Sequence, residues 1–133
     1  MFKHYSKGLI FSLLACAVPT AHADVVSVEN AKQLAADFFS ATSNERLASA
    51  DALDLVYTSG SATHPLYYVF NAREGKGFII ISAEDSTTPV LGYSEDNSYN
   101  VSSVPAAMKW MMSGLESEIK AAPSLQRSVT LTE

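Results

Sequence analysis

The chain has 133 residues, 47% of them hydrophobic, and a formal charge of −5 from 14 acidic and 9 basic side chains. That length allows one domain with a modest core, and the acidic balance makes nucleic acid and anionic membrane surfaces poor partners. One cysteine and three histidines leave little material for disulfide, thiol or zinc chemistry.

The first residues read as an export signal. Lys3 and Lys7 give a basic start, Leu9 to Val18 an apolar run, and Ala21-His22-Ala23 an A-x-A cleavage site before Asp24. The run is about ten residues, too short to span a bilayer, which takes roughly twenty. A buried helix is the plainer alternative, but Pro19 would break it. A lipoprotein signal ending at Leu13-Leu14-Ala15-Cys16 competes, and leucine just before the small residue fits it poorly. Residues 1–23 are therefore assigned to a signal peptide, residues 24–123 to the domain and residues 124–133 to a flexible tail. The protein is expected to be exported to the periplasm or beyond, with no membrane span. Cleavage after Ala23 leaves 110 residues and lowers the charge from −5 to −7, because Lys3 and Lys7 depart. It also removes Cys16, His4 and His22, so His64 alone remains of the thiols and imidazoles. No Cys-His nucleophile pair and no Cys/His zinc site can be built, and no cofactor is implied.

From Ser27 the spacing is helical. Val28, Ala31, Leu34, Ala35 and Phe38 gather on one face, Ser27 can cap the first turn, and Glu29 suits the positive end of the dipole. The helix is expected to fade near Thr42, and residues 43–52 to form a small, polar connector. Leu53, Leu55 and Tyr57 then alternate with polar neighbours up to the Ser59-Gly60-Ser61 turn. Two apolar runs, Leu66 to Asn71 and Gly77 to Ala83, flank a glycine-containing loop and predict an antiparallel hairpin. The unbroken stretch Phe78 to Ile81 predicts a strand covered on both faces, and Pro89 to Ser94 a further strand. The last element is a helix whose face carries Val104, Met108, Met111, Leu115 and Ile119, with Pro105 at its start and Pro123 at its end. The fold class is α+β: an N-terminal helix, an antiparallel meander of about four strands, and a C-terminal helix packed on the sheet.

None of the chemistry-bearing residues assembles a reaction. Gly75-Lys76-Gly77 lacks the spacing and the hydroxyl of a phosphate loop and reads as a hairpin turn. Glu84-Asp85 and Glu95-Asp96 are adjacent pairs at strand ends, not opposed carboxylates. No serine lies in a G-x-S-x-G turn, and His64, before Pro65, reads as a loop residue. Trp110 is different. It lies off the predicted core face, as does Met112, and could serve a partner contact or a second packing surface. The polar, small stretch Asn97 to Ala107 leading to this helix could reach into a partner's cleft.

The succession YYVFN (67–71), GKGFIIISAED (75–85), PVLGYSE (89–95) and VPAAMKWM (104–111) resembles the propeptide of streptopain-type cysteine peptidases and the related free-standing Spi-type inhibitors. The resemblance covers nearly all of the mature chain and is strongest from Tyr67 to Ile119. It implies a bacterial, non-enzymatic protease inhibitor, monomeric when free, whose partner is a streptopain-type, papain-like cysteine peptidase. It assigns the peptidase contact to Val104, Pro105, Ala106, Ala107, Met108 and Trp110, leading into the last helix. Streptopain propeptides place an asparagine in the active site just before this helix's first large apolar residue. Here that position is Ala107, so Trp110 or residues 97–103 would do the blocking. Leu115 stands where tyrosine is more usual. The sequence ends before any catalytic domain, which favours a free-standing inhibitor over the propeptide of a longer precursor. A secreted binding or adhesion module on the same fold is the reading from another class.

Overall fold

The computed structural model describes the backbone of residues 25–132 and the side chains of residues 25–122. The export segment expected at residues 1–23 lies outside them. The fold is α+β, as the sequence implies. Helix α1 (Val28–Ala41) is followed by strands β1 (Leu53–Gly60), β2 (Pro65–Ala72), β3 (Phe78–Ser82) and β4 (Val90–Ser94), and then by helix α2 (Ala106–Thr132). The strands form one antiparallel sheet in the order β1-β2-β3-β4, each paired with its neighbour in sequence.

Ser27 caps α1 as expected, its hydroxyl accepting from the Asn30 amide at 3.1 Å. Thr42 is the C-cap. The buried row is Ala31, Ala35, Ala36 and Phe39, whereas Leu34 is exposed and Phe38 half-buried. Of the predicted stripe, Ala31 and Ala35 are buried and Val28 and Phe38 pack against the same core; Leu34 alone falls outside it, and Ala36 and Phe39 complete the buried face. Two alanines four apart let the helix axis settle close to the sheet, and the next residue on that row is Phe39 rather than Phe38. Phe38 instead meets Tyr93 of β4 edge-on, with ring centroids 4.8 Å apart.

The connector after α1 is more structured than its composition implies. Two short 3-10 turns, Glu45–Leu47 and Ala50–Ala52, carry Leu47 into the core on the α1 side. Between them and the sheet, Arg46 acts as a clasp. Its guanidinium donates to the carbonyls of Glu74 and Lys76 in the β2–β3 loop, at 3.0 and 2.5 Å.

Strands β2 and β3 supply both cores. Tyr68, Phe70, Ile79 and Ile81 face α1, and Tyr67, Val69 and Ile80 face α2, because side chains alternate across a pleated strand. The doubly covered strand expected at Phe78–Ile81 is β3. Strand β1 does not keep one face throughout. A bulge between Leu55 and Tyr57 shifts the register, so Leu53 packs on the α1 side while Tyr57 packs on the α2 side.

Helix α2 differs from expectation in two respects. Its buried residues are Met112 and Ile119, with Met108 and Val104 packed beside them, and Met111 is 42% exposed. Both methionines fit a three-and-four spacing. Met112 shares its face with Glu116, one turn later, which accepts from the Ser59 hydroxyl at 2.9 Å, so the face turned to the sheet carries both an apolar and a polar contact. The helical backbone also continues through Pro123 to Thr132, so Pro123 does not end it. Proline removes one amide donor from a helix without ending it when its neighbours favour helix.

Two glycines give opposite expectations. Gly60 has φ +92°, and a Cβ there would lie 2.5 Å from the His64 carbonyl oxygen. Gly60→Ala should cost about 2 kcal/mol and lower the melting temperature by roughly 10 °C. Gly114 lies inside α2 with open space around it. Gly114→Ala should add about 0.5–1 kcal/mol in the same melting experiment, through helix propensity alone.

Candidate functional site

The residues with reactive potential serve the fold. His64 closes the β1–β2 loop, its amide donating to the Ser61 hydroxyl at 3.0 Å and its carbonyl accepting from the Ser61 amide at 3.2 Å. Gly75 and Gly77 both take positive φ in the β2–β3 loop, so Gly75-Lys76-Gly77 is a hairpin turn. One Glu84 carboxylate oxygen accepts from the amide and hydroxyl of Ser86, at 3.2 and 3.0 Å, and caps a turn. Among the described residues no group of three or more His, Cys, Asp or Glu side chains could hold a metal ion. No helix among them is long and apolar enough to cross a membrane.

The segment entering α2 has the opposite character. Pro105, Ala106 and Ala107 are exposed at the start of the helix, and the Pro105 carbonyl accepts its first bond, from the Lys109 amide at 3.0 Å. Trp110 is 81% exposed. Three residues after Ala107 and four after Ala106, it shares their outward face. Val104 and Met108 are half-buried and pack on the sheet, so they seat the segment rather than project from it. Of the six residues assigned to partner contact, four are therefore presented to solvent and two support them. Among the described residues Trp110 joins no second packing surface. Val101, at 50% exposure, and Met111 enlarge the apolar area. Neither stands out in the sequence, since Val101 lies in a polar stretch and Met111 fits the expected core face.

Residues 97–104 are not a free loop. Tyr99 is only 8% exposed, its ring centroid 6.1 Å from those of both Tyr57 and Phe78. Asn71 of β2 holds its main chain from both sides: the side-chain amide donates to the Tyr99 carbonyl at 2.9 Å, and its oxygen accepts from the Tyr99 amide at 2.8 Å. A 3-10 turn at Val101–Ser103 follows, with the Asn100 side chain accepting from the Ser102 amide at 3.0 Å.

Beneath the segment, Tyr57, Tyr67, Tyr99, Lys109 and Glu116 line a cleft of about 290 Å³. Burial pushes the Tyr67 phenol well above its ordinary value, and the nearby Glu116 carboxylate adds to the effect. Burial also raises Tyr68 and Tyr99. The three phenols are thus held neutral between sheet and helices.

Comparison with known proteins gives a consistent result. The sequence profile described as Spi protease inhibitor matches residues 23–119. The thiol protease/hemagglutinin PrtT of Porphyromonas gingivalis is 32% identical over 120 residues, which is 88% of this chain. The match spans only 13% of that protein's own length. No solved structure matches the chain.

The raised tyrosines predict the alkaline limit of the fold. A phenol whose folded pKa exceeds its unfolded value, near 10, adds stability that is complete below that pH and lost as pH rises through the folded value. Melting temperature should therefore fall steeply above about pH 10. In Tyr67→Phe the fall should be shallower, and an unchanged slope would remove Tyr67 from this role.

Proposed function

The chain belongs to the Spi protease inhibitor family, and from that premise we propose that it inhibits a streptopain-type, papain-like cysteine peptidase by covering the active-site cleft. The carrying observation is the family match over residues 23–119, beside a relative whose name includes thiol protease. The site geometry supports the same reading. An inhibitor of this kind needs no chemistry of its own, only a stable scaffold and a complementary surface of roughly 800 Å². Val101, Pro105, Ala106, Ala107 and Trp110 are all exposed where the chain enters α2 and offer apolar side chains to a partner. Ala107 brings no polar group to the catalytic Cys-His pair, so blocking falls to the bulk of Trp110 and to the Val101–Ser103 turn. The basic start, apolar run and A-x-A site at residues 3–23 support export, with the inhibitor acting as a monomer outside the cytoplasm.

A second reading has its own observation. The relative matches this chain over a small part of a much longer protein, as a propeptide would. In that role the same surface confers latency in cis and assists folding of the attached peptidase. Refolding a streptopain-type peptidase with and without the added chain separates the two: a raised yield of native enzyme favours the propeptide reading, and inhibition without such assistance favours the dedicated inhibitor. Absence of inhibition at micromolar concentration sinks the inhibitor reading.

Trp110→Ala should raise the inhibition constant by about 30-fold, the roughly 2 kcal/mol expected of an interfacial tryptophan. Its melting temperature should stay within a degree or two of the native value, because the side chain is solvated. An unchanged inhibition constant would remove Trp110 from the contact surface.

A further inference from the structure

The polar residue in the otherwise apolar strand β2 has a specific task. In the run Pro65–Ala72, Asn71 follows Leu66, Tyr67, Tyr68, Val69 and Phe70 and pairs with Asp54 on one side and Phe78 on the other. Alternation along the strand points its side chain to the α2 side with Tyr67 and Val69. A half-buried amide there is costly unless both its ends are matched, and Tyr99 matches both. The amide acts as a one-residue strand, giving the Tyr99 main chain the pair of bonds that a neighbouring strand would give. Among the described residues these two are the only hydrogen bonds tying residues 98–104 to the rest of the domain; those at Asn100–Ser103 are local. Ser98 and residues 100–103 are otherwise exposed.

We propose that Asn71 is the positioning residue of the peptidase-contact segment: it fixes the path of residues 98–104 before binding, so that Val101 and the start of α2 meet the partner already ordered. The inference rests on the inhibitor reading above. A segment ordered in advance loses little conformational freedom on association, whereas one ordered only by the partner gives up part of the binding energy. Asn71 is half-buried in β2 and not among the exposed contact residues, so its effect on inhibition is indirect.

The test pairs amide hydrogen exchange of the free protein with inhibition of a streptopain-type peptidase, for the native chain, Asn71→Ala and Asn71→Asp. Alanine removes both bonds. Aspartate keeps the acceptor for the Tyr99 amide and sets a second carboxylate oxygen against the Tyr99 carbonyl. In both variants exchange at Tyr99 and its neighbours should rise at least tenfold, with the amides of β2 and β3 still protected. The inhibition constant should rise at least tenfold alongside it. Continued protection of Tyr99 in both variants overturns the proposal. So does undiminished inhibition by a variant whose segment has loosened, and in that case the inhibitor reading survives. Loss of β2 and β3 protection in both variants assigns Asn71 to the core and also overturns it. If the native chain fails to inhibit, the inhibitor reading falls, and the exchange profile alone decides whether Asn71 fixes the segment.

Discussion

Strands β2 and β3 bury both faces, and the arrangement of the domain follows from that burden. Tyr68, Phe70, Ile79 and Ile81 require an apolar cover on one side, and Tyr67, Val69 and Ile80 on the other. Side chains of this size each lose about 1.5–3 kcal/mol of stabilisation when left in water, so neither helix is dispensable. Helix α1 covers its side with a flat, alanine-rich row. Helix α2 covers the other with fewer apolar residues, and is located by the Ser59–Glu116 contact as well as by packing. The exposed Trp110 stands on the far side of a helix whose near side completes the core.

That dual use explains why the sequence disclosed the scaffold more readily than the site. Alternation, glycine turns and the all-apolar run at Phe78–Ile81 fix the meander, because a period of two and a loop of given length admit few arrangements. Helical rotation is less constrained. Leu34 fits a stripe with Ala31, Ala35 and Phe38 as well as Phe39 fits one with Ala31 and Ala35, until the sheet is present to select between them. The same ambiguity separated Met111 from Met112. Trp110 stood apart in the sequence because no choice of core face included it.

What stayed illegible were contacts between residues distant in the chain. Nothing local marks Asn71 as the partner of Tyr99, 28 residues away, and Tyr99 lies in a stretch whose composition reads as loop. Leu47 and Arg46 were similarly hidden in a connector of small and polar residues. Each acts through one long-range contact, and a single contact leaves no periodicity. Family resemblance points to the segment entering α2 as the proposed contact surface, but not to how this chain holds that segment.

The nearest-neighbour strand order carries a kinetic meaning. Each strand finds its partner across one short loop, and the long closures that slow many β-rich folds are absent from the sheet. Such a chain can reach its final form quickly, strand upon strand. In the proposed role of covering another protein's cleft, the rate of folding would set how soon the domain is ready to bind.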